Sequence, residues 1–384
     1  MPTTTTTLRK ASRAQASGSA EEVVAAITAV LRDGLAGQPA TVVLFFASAS
    51  YDPSELAGPL NASFPEAAVL GCSTAGEFTD TASSTGGVSA IALPTSILAR
   101  GAAALVDLST DPAGAIATAT RAVEAALGTE LRRLDPTRHL GFVLIDGLHG
   151  AEEVVNEALG NAAPLLDVVG GSAGDDLAFA ETWVSVGDQV SRCGAALVVC
   201  ETTGPFTVLK TCTFESTAKK LRVTRADVAA RTVYEFDGRP ATEAYAEAIG
   251  CRPGDLDSAI FMEHPVGLMV DGVPFIRSPQ QVTSDGGIKF YCQVLDGMEV
   301  EVMQSGDIVS ETSAALAAAV DGLGGSASAG VLFNCILRRL ELDAKDETQA
   351  FVDTFAGIPV AGFHTYGESW LGHMNQTLTG VLFS

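Results

Sequence analysis

One pattern occurs three times along this chain and limits its fold more than any other feature: an apolar β-rich run, a helical stretch, a second apolar run, then a polar segment bounded by glycine. The first copy runs from Thr41–Phe46 through a helix at Pro53–Ser63, opened by Asp52, to Ala67–Leu70 and Gly71-Cys-Ser-Thr-Ala-Gly-Glu77. The second has Leu140–Ile145, a helix at Ala151–Leu159, Leu166–Val169 and Gly170-Gly-Ser-Ala-Gly-Asp175. The third has Gly330–Ile336, a helix at Lys345–Phe355, Ile358–Ala361 and Gly362-Phe-His-Thr-Tyr-Gly-Glu368. Two short strands joined by one helix within about 30 residues make a βαβ crossover, whose strands lie parallel. Apolar runs without alternation predict strands buried on both faces.

After each polar segment the pattern turns to antiparallel hairpins. Val88–Leu93 is expected to pair with Ile97–Val106, and Thr182–Val186 to turn at Gly187-Asp188 into Ala195–Cys200. Between the second and third copies lies a different region, with strands at Lys219–Arg225 and Thr232–Phe236 and a helix at Pro240–Ile249. A meander follows over Phe275–Thr283, Ile288–Leu295 and Glu299–Gln304. The fold class expected is mixed α/β: two lobes of repeated β-α-β units with added hairpins, plus an inserted antiparallel meander. Residues 1–20 read as a disordered tail, 21–220 as an amino-terminal domain and 221–384 as a carboxy-terminal one.

Composition narrows the function. At 384 residues, 47% hydrophobic and 18% charged, the chain can bury large cores. A formal net charge of −23 repels phosphate backbones and anionic bilayers, so neither nucleic acid nor a membrane surface is an expected partner. No run approaches the ~18 consecutive apolar residues that span a bilayer. The first twenty residues lack the apolar core of a secretory signal. The seven cysteines are odd in number and nowhere spaced C-x-x-C, which fits a reducing, cytoplasmic compartment and supports neither a disulfide framework nor a zinc site. His139, His149 and His264 are scattered, so no metal and no cofactor is expected.

The glycine-bounded segments carry the candidate chemistry. Glycine after a buried strand lets backbone approach a ligand closely, hydroxyls and free N–H groups donate, and a carboxylate accepts. Ligands in parallel-strand architectures collect beyond the carboxyl ends of the strands. The candidate ligand-binding residues are therefore Cys72, Ser73, Thr74 and Glu77 in the first copy and Ser172, Asp175 and Asp176 in the second. The third contributes His364, Thr365, Tyr366 and Glu368, with Cys335, Arg338 and Asn375 beside it. The competing reading is that such residues cap helices and close turns through their own backbone. Cys72 reads as a buried spectator, because its counterparts are Gly171 and Phe363.

At these residues the chain resembles the FIST family, a sensory module also found in some F-box proteins. Gly71–Glu77 with its preceding Phe64-Pro65, and Gly170-Gly-Ser-Ala-Gly-Asp-Asp176, are similar to the two signatures of the amino-terminal FIST domain (FIST_N). Gly238-Arg-Pro-Ala with Tyr245, Phe333-Asn-Cys-Ile-Leu-Arg338, Gly362–Glu368 and Asn375-Gln-Thr377 are similar to the carboxy-terminal domain (FIST_C). His364 stands where the family more usually has a small hydroxyl residue. The resemblance implies an intracellular signal-transduction protein that binds a small molecule, an amino acid or related metabolite. Output would pass to a separate signalling partner or through self-association as a homodimer. It carries no catalytic residues. Two alternatives stand beside it: an enzyme acting on a small metabolite through Cys72, Ser73 or Cys335 with His364, and a protein-interaction scaffold.

Overall fold

The computed structural model describes residues 10–384. Each βαβ unit forms the centre of its own six-stranded sheet, and the three sheets share one strand plan. The parallel pairs are Ala40–Ser48 with Ala68–Thr74, His139–Ile145 with Asp167–Ser172, and Ala329–Cys335 with Val360–Thr365. On one side of each pair lie two antiparallel strands. On the other lies a short hairpin borrowed from a different copy. The hairpin after the first polar segment, Glu77–Thr79 with Ser83–Ser84, joins the third sheet. That after the second, Val184–Val186 with Gln189–Ser191, joins the first. That after the third, Glu368–Ser369 with His373–Met374, joins the second. The exchange closes a ring and gives the molecule a pseudo-threefold plan.

Alternate residues of the parallel strands divide between two environments. Val42, Leu44 and Phe46 enter a central core shared by all three sheets, where Phe46, Phe142, Phe333 and Phe363 meet edge to face or tilted. Val43, Phe45 and Ala47 face helices Ala20–Gly34 and Pro53–Ser63 on the outside. Helices Pro112–Leu127 and Glu152–Ala162 cover the second sheet, and Ile308–Gly322 and Thr348–Asp353 the third. Burial on both faces is why these strands show no alternation. The first glycine of each polar segment is there for close approach. A Cβ on Gly71 would lie 2.2 Å from the Phe45 ring, on Gly170 1.8 Å from the Val143 carbonyl, and on Gly362 2.4 Å from the Leu332 carbonyl.

Several local expectations give way to tertiary structure. Gly71–Thr74, Gly170–Ser172 and Gly362–Thr365 are the last turnless residues of their strands, not loops. Val88–Pro94 and Leu98–Asp107 are adjacent in sequence but enter different sheets, the first pairing with Ala40–Ser48 and the second with Gly194–Thr202. The third crossover is two helices, Ile336–Ala344 and Thr348–Asp353, broken at Asp346 with φ 58°. Of the tail expected over 1–20, residues 1–9 lie outside the described residues. Ser12–Ala16 is an edge strand on Val88–Pro94, and Ala20 opens a helix capped by Ser19.

The inserted region forms the fourth, eight-stranded sheet. It is not a simple meander. Ile288–Phe290 pairs with Thr232–Phe236, while Glu299–Ser305 pairs with Phe214–Asp227 and with the strand Val266–Val270, which carried no clear signal. Its core gathers Tyr245, Phe236, Phe261 and Phe290.

Candidate functional site

The three polar segments do converge, but on one another. Ala75 N–H donates to the His364 carbonyl (3.0 Å) and His364 N–H to that of Gly76 (2.8 Å). Tyr366 N–H donates to Ser172 (3.1 Å) and Ser172 N–H to Gly367 (2.8 Å). Gly174 N–H donates to Ser73 (3.1 Å) and Ser73 N–H to Trp183 (3.0 Å). Backbone groups that were expected to meet a ligand are spent in this ring.

The buried acids serve the same interlock. Glu77 accepts from Thr74 Oγ1 (2.5 Å) and Gly87 N–H (3.2 Å). Glu368 accepts from Thr365 Oγ1, from Thr377 Oγ1 (2.7 Å) and from Thr377 N–H (3.1 Å). Burial pushes both carboxyls up to about 7, against the lowering pull of those donors. In register the second copy has no such acid. Glu77 lies opposite Phe363 and Glu368 opposite Gly171, whereas the residue opposite Cys72 is Val184. Asp175 instead opens an insertion of its own. Its carboxylate accepts from the N–H groups of Phe179, Ala180 and Glu181 and from the Tyr366 hydroxyl.

Other candidates are placed as follows. Ser73 Oγ accepts from Trp183 N–H (3.0 Å). Ser172 is fully buried. His364 lies between Asn334 (3.0 Å) and Ser83 (3.4 Å), and burial beside Arg339 and Arg338 depresses its imidazole to about 3. Arg338 is buried, donating to Asn334 (2.8 Å) and Thr312 (2.9 Å) inside the third copy. Its neighbour Arg339 pairs with Asp343 (3.2 Å) and clasps the first and second copies together through the Ala75 carbonyl (2.6 Å) and Asp176 (2.7 Å). Cys72 and Cys335 are buried, and desolvation raises both thiols well above the ordinary range, opposite to an activated nucleophile.

A hollow does exist, beside the interlock. A cleft of about 790 Å³ opens at the carboxyl ends of strands His139–Ile145 and Ala329–Cys335 and is walled on its far side by the inserted sheet. This is where parallel-strand folds collect ligands, and the volume suits a small metabolite. Three of the candidates line it: Cys335, Tyr366 and Asn375. Asn375 is 1% exposed, and its Oδ1 has no hydrogen-bond partner among the described residues. Ile336 and Leu337 open helix Ile336–Ala344 at the cleft with no side-chain cap. The turn Gly147–Gly150 forms another wall, shaped by buried Asp146, which accepts from Leu148 N–H (2.8 Å) and His149 N–H (3.1 Å).

The far wall escaped the sequence reading. It carries Arg231, Gln280, Lys289, Tyr291 and Gln293. Arg231 is held by Glu152 (2.8 Å) and Glu153 (2.7 Å) and donates to the Tyr291 carbonyl (2.6 Å). Lys289 has no ion pair among the described residues. The Gly147-Leu-His-Gly150 segment follows an apolar strand and is bounded by glycines, a local signal that could have found it. Nothing local marks the inserted residues, because they reach the cleft only through sheet packing. Among the described residues no group of His, Cys, Asp and Glu could hold a metal ion, and no helix is long and apolar enough to cross a membrane.

A comparison with curated proteins finds no match. Among solved structures, a chorismatase crystal structure at 1.08 Å aligns at 12% identity over 91% of this chain and 94% of that chain, with a TM-score of 0.34, too loose a likeness to bear on either fold or activity. Family models are decisive: that of the FIST N domain matches residues 41–239 and that of the FIST C domain residues 241–370. With nearly its whole length matched in that order, the chain belongs to the FIST family of sensory domains.

Proposed function

We propose that this protein is a cytoplasmic signal-transduction component whose cleft binds an amino acid or a closely related metabolite and reports it to a separate protein. The observation that carries the reading is the buried Asn375 amide at the cleft, whose unpartnered Oδ1 is a costly vacancy unless something donates to it. An ammonium or hydroxyl of the ligand fills that role. Lys289, free of an ion pair among the described residues, and the uncapped start of helix Ile336–Ala344 suit a carboxylate. Leu148, Leu177 and Phe179 supply apolar cover for a side chain. Seven free thiols suit a reducing compartment. The domain division at 220/221 remains part of this proposal, the two halves acting as one receptor.

The test is a thermal-shift panel of the common amino acids and their keto and amide relatives. A compound at a hundredfold its dissociation constant adds about 2.7 kcal/mol of stability. Asn375→Ala and Lys289→Ala should each abolish the shift. A panel with no response from any member would overturn the reading.

A further inference from the structure

A second cavity, of about 420 Å³, lies behind the first, between helix Glu152–Ala162, strand Asp167–Ser172 and the tip of the hairpin Glu368–His373. The two hollows share a wall: Glu152 and Arg231 face the first, Glu153 and His373 the second. The polar lining of the second cavity is Glu153, Asn156, Glu157, Asn161, Arg277 and His373. His373 is 4% exposed and its Nδ1 has no partner among the described residues. Arg277 donates Nη1 to the His373 carbonyl (3.2 Å), yet its own Nε is buried without a partner. Two lining residues thus each carry an unsatisfied nitrogen, one of them cationic, and each such nitrogen costs free energy while it stays unbonded. The larger apolar side chains of the lining are Leu159, Leu166, Val168 and Leu371.

The carboxylates nearby do not fill that need. Glu153 accepts from Gln293 N–H (2.8 Å) and Arg231 (2.7 Å); it and Glu152 act on His373 through their charge but make no hydrogen bond to it or to Arg277 among the described residues. Glu157 sits exposed at the rim. Arg277 has no ion pair among the described residues. A cation and an imidazole with open hydrogen-bonding positions, in a cavity also lined by leucine and valine side chains, match an anion carried on an apolar body. We propose that this cavity is a second ligand site, which takes a small organic carboxylate with an apolar body: carboxylate on Arg277 and His373, hydrocarbon against Leu159 and Leu166. It is independent of what the first cleft binds.

Calorimetric titration of the full chain with benzoate, with benzamide as its neutral counterpart, tests this. Benzoate should bind saturably and at least about tenfold more tightly than benzamide, the difference expected of one charge-assisted contact. Arg277→Gln should erase the preference. Gly160→Phe supplies the control for folding, because Gly160 lines the cavity and a Cβ there meets nothing within 4 Å. This variant should keep its melting temperature and lose benzoate. Equal binding of the two compounds, no saturable binding, or benzoate retained by folded Gly160→Phe would each overturn the site. So would loss of benzoate from Asn375→Ala alone, which would place it in the first cleft.

Discussion

Glu77 and Glu368 do the same work in two different sheets: each follows a threonine by three residues, accepts that threonine's hydroxyl and caps a backbone N–H further along. Their conservation of place is structural. Each carboxyl closes the turn that sends its hairpin into the neighbouring copy's sheet. The repeated acid that drew attention in the sequence is thus a fastening, and the cleft lies beside it.

The buried carboxyls make a pH prediction. Both are raised from 4.5 to about 7. A raised acid favours the folded state most below the unfolded value of 4.5, and that contribution is lost as pH rises through about 7. Glu368→Gln should cost roughly 1–3 kcal/mol at the acid end by leaving a donor unmatched. The gap between parent and variant in urea unfolding should narrow as pH climbs from 4.5 to 7. A gap that widens over that window would contradict the assignment.

His364 bears the opposite sign. Its imidazole is depressed from 6.5 to about 3 by burial. The unfolded chain takes up a proton first, so stability present above 6.5 is lost as pH falls toward 3. His364→Gln should lose about 1 kcal/mol near neutrality through its contact with Asn334 and show a flatter acid limb. Parallel acid limbs in the two proteins would show that His364 is not the group titrating.

Tyr366 pins the insertion after the second strand pair to the third copy. Its hydroxyl accepts from Leu177 N–H (2.7 Å) and donates to Asp175, and its ring stacks on Phe179 at 5.3 Å. Asp176, Leu177 and Phe179 all hold positive φ (53°, 67° and 49°), so this segment is strained and depends on such ties. Tyr366→Phe should speed hydrogen exchange over residues 175–181 by about tenfold or more, the equivalent of one lost hydrogen bond, and leave exchange in the central strands unchanged. Unchanged protection at Leu177 would sink this account.

The thiols offer a check on the enzymatic alternative. Burial raises Cys72 and Cys335 away from the thiolate form, so iodoacetamide on the native protein at neutral pH should leave both unmodified while denatured chain reacts at every cysteine. Rapid modification of Cys335, which lines the cleft, would reopen a nucleophilic role.

The sequence alone determined the three βαβ units, most strand and helix positions within them, and the family, because hydrophobic periodicity, caps and glycine placement are local properties of the chain. Tertiary structure decided the rest. Which hairpin enters which sheet depends on long-range pairing, so Val88–Pro94 and Leu98–Asp107 could part company without any local sign. The same holds for the site. Asn375, Tyr366 and Cys335 were visible because they adjoin the repeated motif, whereas Arg231 and Lys289 join them across a sheet interface. Glu77 and Glu368 looked like ligand groups until their burial and bonding were known, since a polar residue near a glycine reads identically whether its partner is a metabolite or the protein's own backbone.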